Sequence, residues 1–234
     1  MTRLSAILMT SAALLLTACN QSNEQSTKPA DSQAATTEQS STMPMDHAHH
    51  SADAAMPPHA AAYMQSMNTM HDAMVVAAKS ANADVAFAKG MIPHHQGAIE
   101  MAKIQLEYGK DDAMRKLAQD IIDAQGMEIE FMQNWLSTAK DADRTDETSD
   151  HAKAYLSDMA LHERMMAGVH HADADAAFVL GMIPHHQSAI EMAKIELQYG
   201  TDDQMRNLAQ GIIDAQDPEI TLMQNWLKSK NISE

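Results

Sequence analysis

Cysteine is all but missing from this chain, with a single residue, Cys19, in 234. Intrachain disulfides and thiolate zinc sites are thereby excluded. Positive charge is scarce as well, with 16 Lys and Arg against 32 Asp and Glu and a net charge of -16. A nucleic-acid partner requires basic side chains clustered on one face to neutralise phosphate, and no such cluster occurs. Aromatic residues make up 4% and glycines number 8. With abundant Ala, Met, Leu, Gln and Glu, that mix favours helix over strand. What the chain does hold in quantity is 21 Met and 13 His.

The N-terminus carries Arg3, an apolar run from Ala6 to Leu16, and small residues up to Cys19. The run is too short for a spanning helix and reads as a secretory signal peptide over residues 1–18. Leu16-Thr17-Ala18-Cys19 resembles a bacterial lipobox, in which the cysteine becomes the lipidated first residue of the mature chain. Asn20 behind it points to the outer membrane of a Gram-negative envelope, with the protein on the periplasmic face. An oxidising compartment converts thiolates to disulfides but leaves thioethers intact as soft ligands, so Met is the sulfur donor suited to it.

Residues 19–57 are rich in Ser, Thr, Gln, Ala and Pro and read as a disordered tether. Its distal end is dense in ligand types, with Met43, Met45, His47, His49 and His50 as metal candidates. Beyond it the sequence repeats itself at an offset of 91 residues: Gly90 to Leu136 recurs as Gly181 to Leu227 with about three-quarters identity. Two helical domains are therefore expected, at 58–138 and 151–234, joined by a polar linker at 139–150.

Apolar positions recur at helical spacing in each copy. A first helix is predicted over Ala60 to Lys79, a short one after Asn82, another opened or kinked at Pro93 and ended at Gly109, and a long last one begun at Asp111 and Asp112. Four helices with short turns predict an antiparallel bundle for each copy, hence an all-α protein.

Several helix faces carry more than packing residues. Met67, His71 and Met74 share a stripe of the first helix with Met70 beside it, and the second copy offers Met159, His162, Met165 and Met166. His94 and His95 lie on adjacent faces that also hold Met101. In the last helix Gln125 interrupts an apolar stripe with Glu128 at its edge, and Gln216 and Glu219 repeat this. A buried amide or carboxylate needs a partner, so either a ligand or a histidine held in one tautomer from outside is expected there. Thioether, imidazole and carboxamide converging on one interior suit copper(I) and its mimic silver(I), with copper(II) admitted at the His-rich tether. Met at helical spacing also serves as core filling, and both uses stay open for the individual methionines. Glu100 and Lys103 read as a solvated face.

The string Met-Ile-Pro-His-His-Gln, followed by Ala-Ile-Glu-Met-Ala and then Ala-Gln-x-x-Glu-Ile-x-x-Met-x-x-Trp-Leu, resembles the domain-of-unknown-function family 305. That resemblance implies a ferritin-like fold in both copies and kinship with CopM-like periplasmic copper-binding proteins. It also implicates Met91, His94 and His95 in the first copy and Met182, His185 and His186 in the second, with Met101 and Met192 nearby. The expected function is a non-catalytic envelope protein that sequesters copper or hands it to another envelope copper protein, each copy binding by itself. The alternative is a ferritin-like metal-dependent oxidase, although the Glu-x-x-His pattern of such sites is absent from the bundle segments. The second copy departs at Asp217-Pro218, where the first has Gly126-Met127.

Overall fold

The computed structural model describes residues 56–140, 142–157 and 161–234, with the side chains of 161–164 left out. The all-α architecture is as predicted. The helices are α1 (Pro58–Ala77), α2 (Ala83–Tyr108), α3 (Asp112–Leu136), α4 (Asp150–Ser157), α5 (Leu161–Gly168), α6 (Ala174–Tyr199) and α7 (Asp203–Lys230). Cys19 and the tether candidates Met43, Met45, His47, His49 and His50 lie outside the described residues, as does Met159. Among the described residues no helix is long and apolar enough to cross a membrane.

Helix starts follow the expected side-chain caps. Asn82 accepts from the Val85 amide, and Asp111 from those of Ala113 and Met114; Asp173 and Asp202 do the same in the second copy. Such caps satisfy amides that the first turn leaves without a helical partner. One element differs from expectation. The short helix after Asn82 and the helix opened at Pro93 are a single helix, α2, with Pro93 inside it, and α6 runs through Pro184 in the same way. Proline removes one backbone donor and crowds the preceding turn. Here α2 and α6 are buried over most of their length, and packing on several sides holds the helix through the break. Pro218 likewise sits within an unbroken α7.

The two sequence copies share their cores. α2 packs between α1 and α3, α6 between α5 and α7, and α2 and α6 lie against each other. One apolar cluster joins Tyr63, Met67, Met101 and Met114 of the first copy to Phe178, Met182, Ile183 and Met223 of the second. The other joins Phe87, Met91 and Met132 to Met192, Met205 and Ile212. Close approach is permitted by a reciprocal pair of glycines. A β-carbon at Gly90 would lie 3.1 Å from the Met192 methyl, and one at Gly181 would lie 3.1 Å from the Met101 methyl. Each copy thus inserts a flexible thioether where the other has no side chain.

The contact is fastened at both ends by a buried aspartate. Asp175, near the start of α6, accepts hydrogen bonds from the Lys110 and Asp111 amides and the Gln105 side chain. Asp84, near the start of α2, accepts from the Thr201 and Asp202 amides and the Thr201 hydroxyl. Because the start of each helix meets the end of the other, α2 and α6 run antiparallel. Position 105 holds Gln, but its counterpart 196 holds Glu. As a carboxylate Glu196 finds no donor for either oxygen. Burial and the adjacent Asp84 push its pKa up to about 9, so near neutral pH it is the neutral acid and shares its proton with Asp84.

Candidate functional site

The centre of the α2–α6 contact is a line of imidazoles. Heptad-like spacing places His94 on the face of Ala98 and Met101, and all three are fully buried. His185 occupies the same position in α6, and antiparallel packing brings the two together with ring centroids 3.9 Å apart and planes inclined by 48°. None of the four ring nitrogens makes a hydrogen bond of ordinary geometry, each ring having at most a weak contact with the other histidine's backbone. Burial, reinforced by neighbouring imidazoles, holds both rings well below the usual histidine pKa, so they are neutral with a lone pair each. A buried polar group left unsatisfied costs roughly 1–3 kcal/mol, and this centre gathers several of them.

His95 and His186 flank that pair, each 6.3 Å from its neighbour in sequence by ring centroids. Both are fully buried, and each is held by a carboxylate from the last helix of its own copy. His95 Nε2 donates to Glu128 Oε2 at 2.7 Å, and His186 Nε2 donates to Glu219 Oε2 at 2.7 Å. In the neutral ring this fixes the proton on Nε2 and leaves the buried Nδ1 with its lone pair and no partner. The carboxylates are about a quarter exposed, so they are where the imidazole line reaches solvent.

Of the methionines singled out from sequence, Met67, Met70, Met91, Met101, Met165, Met182 and Met192 are buried. Met74, Met166 and His71 are half-buried, and the side chain of His162 is outside the described set. Met70 lies near the imidazole pair: a β-carbon at Gly97 would lie 2.9 Å from Met70 Sδ and 3.5 Å from His185 Nε2. Met67 and Met101 gather over Gly181, while Met91 and Met192 sit in the second core cluster. Gln125 and Gln216 are buried with their side-chain oxygens unpartnered. The acceptor expected to be met inside the bundle is therefore still free. Glu100 pairs with Lys103 on the surface, as expected.

Among the described residues no three His, Cys, Asp or Glu side chains converge into a ready-made shell. An ion held between His94 and His185 could take further donors from neighbouring thioether sulfur such as that of Met70. That donor set suits a soft ion at low coordination number and not a hard cation needing many oxygens.

Fold and site together define an all-α protein with a buried imidazole centre between two internally repeated halves. The chain belongs to the DUF305 family: the family model, described as "Domain of unknown function (DUF305)", matches residues 9–136 and 84–227. Among solved structures it is similar to CopM in a silver-bound form, at 31% identity and a TM-score of 0.50, over 62% of this chain and 95% of that one. A DUF305 protein from Streptomyces coelicolor is similar at 27% identity and a TM-score of 0.53, over 65% and 96% of the two chains. CopM in its Cu(I)-bound form is 32% identical with a TM-score of 0.48, over 62% and 96%. No curated protein matches the chain.

Proposed function

We propose that this protein binds copper(I), with silver(I) as its mimic, at a centre shared by its two sequence copies. The observation that carries this reading is the His94–His185 pair, two neutral imidazoles in contact and fully buried, with no ring nitrogen in a hydrogen bond of ordinary geometry. A metal ion supplies what the protein interior withholds from those lone pairs. The silver-bound state of CopM supports the choice of a soft monovalent ion. In role the protein is a non-catalytic envelope protein that sequesters copper or passes it to a partner, and so supports copper resistance. The oxidase alternative would gather carboxylates around two metals, whereas Glu128 and Glu219 are each engaged with a histidine.

Competition titration of the full chain against a chromophoric copper(I) chelator tests the reading. One tightly held ion per chain is expected at the shared centre, with weaker uptake at the tether histidines. Retention of all copper by the chelator would overturn it.

The proposed setting is the envelope, with the chain anchored through lipid on Cys19. Cys19→Ser should leave the protein unprocessed or release it to the soluble fraction. Membrane fractionation reads this, and a variant that stays processed and membrane-bound would contradict the lipobox reading.

A further inference from the structure

The two copies are not equivalent around the shared imidazoles. In the first, a surface groove of about 430 Å³ runs between α1 and α2, lined by Gln65, Ser66, Thr69 and Gln96, with Met70 and Gly97 also on its wall. Met70 and Gly97 are themselves buried. Met70 packs directly onto Gly97: a β-carbon there would stand only 2.9 Å from Met70 Sδ, too close to fit without moving the thioether, and 3.5 Å from His185 Nε2. The groove wall therefore ends where a thioether and an unpartnered, fully buried imidazole nitrogen flank the same spot. The second copy has neither feature by sequence: Leu161 stands in place of Met70, and Ser188 in place of Gly97. Ser188 is buried, so its side chain occupies the interior.

We propose that a soft monovalent cation, copper(I) or silver(I), enters through the α1–α2 groove past Gly97, and that Met70 Sδ is the ligand that receives it beside His185. The proposed route lies on the first copy's side of the imidazole pair. This inference rests on the copper reading above and adds its route and its sulfur donor. A neutral thioether needs no proton loss to bind and prefers a soft ion, so it selects at the entrance before the ion reaches nitrogen. The polar side chains of the groove solvate an incoming ion without holding it.

Rapid mixing of the full chain with copper(I) bicinchoninate tests the route. Gly97→Ser writes the second copy's residue into the first and pushes on Met70, whose Sδ lies 2.9 Å from where the new β-carbon would stand. Loading should slow roughly tenfold in this variant. Ser188→Gly should load at least as fast as the parent. Met70→Leu keeps approximate volume while removing sulfur, and should weaken equilibrium copper(I) binding roughly tenfold or more. Circular dichroism checks that each variant folds. A parent that takes copper(I) while Gly97→Ser loads at the parent rate would overturn the route and leave the copper reading standing. Unchanged affinity in Met70→Leu would remove Met70 as the ligand. A parent that takes no copper(I) would overturn the reading and the route together.

Discussion

Glu196→Gln should raise the melting temperature at pH 8 and flatten its dependence on pH. In the folded protein the Glu196 pKa is raised from 4.5 to about 9, chiefly by burial and then by Asp84. Once unfolded, the group ionises near its ordinary value. Between about pH 4.5 and 9 the folded state therefore holds a proton that the unfolded state has released, and stability falls as pH rises through that window. Below it the group is protonated in both states and contributes no slope. Glutamine removes the titration and supplies the donor that Gln105 already gives Asp175 at the matching position. The gain at pH 8 should be on the order of 2 kcal/mol, short of the full pKa shift because the protein around a buried charge relaxes. For a chain of this size that is roughly 5 °C, fading toward pH 4.5. The reciprocal change, Gln105→Glu, should lower the melting temperature at neutral pH and steepen its pH dependence. Thermal unfolding across pH measures both, and parallel curves for Glu196→Gln and the parent would contradict the shared proton.

His94→Leu and His185→Leu should each weaken copper(I) binding roughly hundredfold or more, since a direct ligand matters at least as much as the outer groups that orient one. Neither should destabilise the metal-free protein. Leucine takes away two buried nitrogens that have no partner, and unsatisfied groups of this kind oppose folding. Function and stability therefore pull in opposite directions at these positions. Competition titration and chemical denaturation of the metal-free variants read the two effects separately. A loss of stability without a loss of copper affinity would make the imidazoles packing residues.

Much of this was legible in the sequence because it depends on local order. Helical periodicity and the Asn82 and Asp111 caps located helix starts, and Glu128 at the edge of the Gln125 stripe foreshadowed the carboxylate that holds His95. Pro93 misled, because the burial that carries α2 through it comes from other helices. The contact of His94 with His185 could not be read from either copy alone. It arises from antiparallel packing of α2 on α6, fastened by Asp84 and Asp175, whose partners lie more than sixty residues away. Glu196 also escaped notice, although a signal was present. It is a Gln-to-Glu mismatch between two closely similar helices, at a position that the pattern buries.

The shared centre is tested most directly by imidazole nitrogen NMR of the full chain as one equivalent of copper(I) is added without oxygen. The His94→Leu and His185→Leu variants assign the two resonances. Both should shift together with the first equivalent, before the tether histidines respond, because one ion lies between the two copies. Shifts confined to the tether histidines, or His94 and His185 responding at separate equivalents, would contradict a single centre built from both halves.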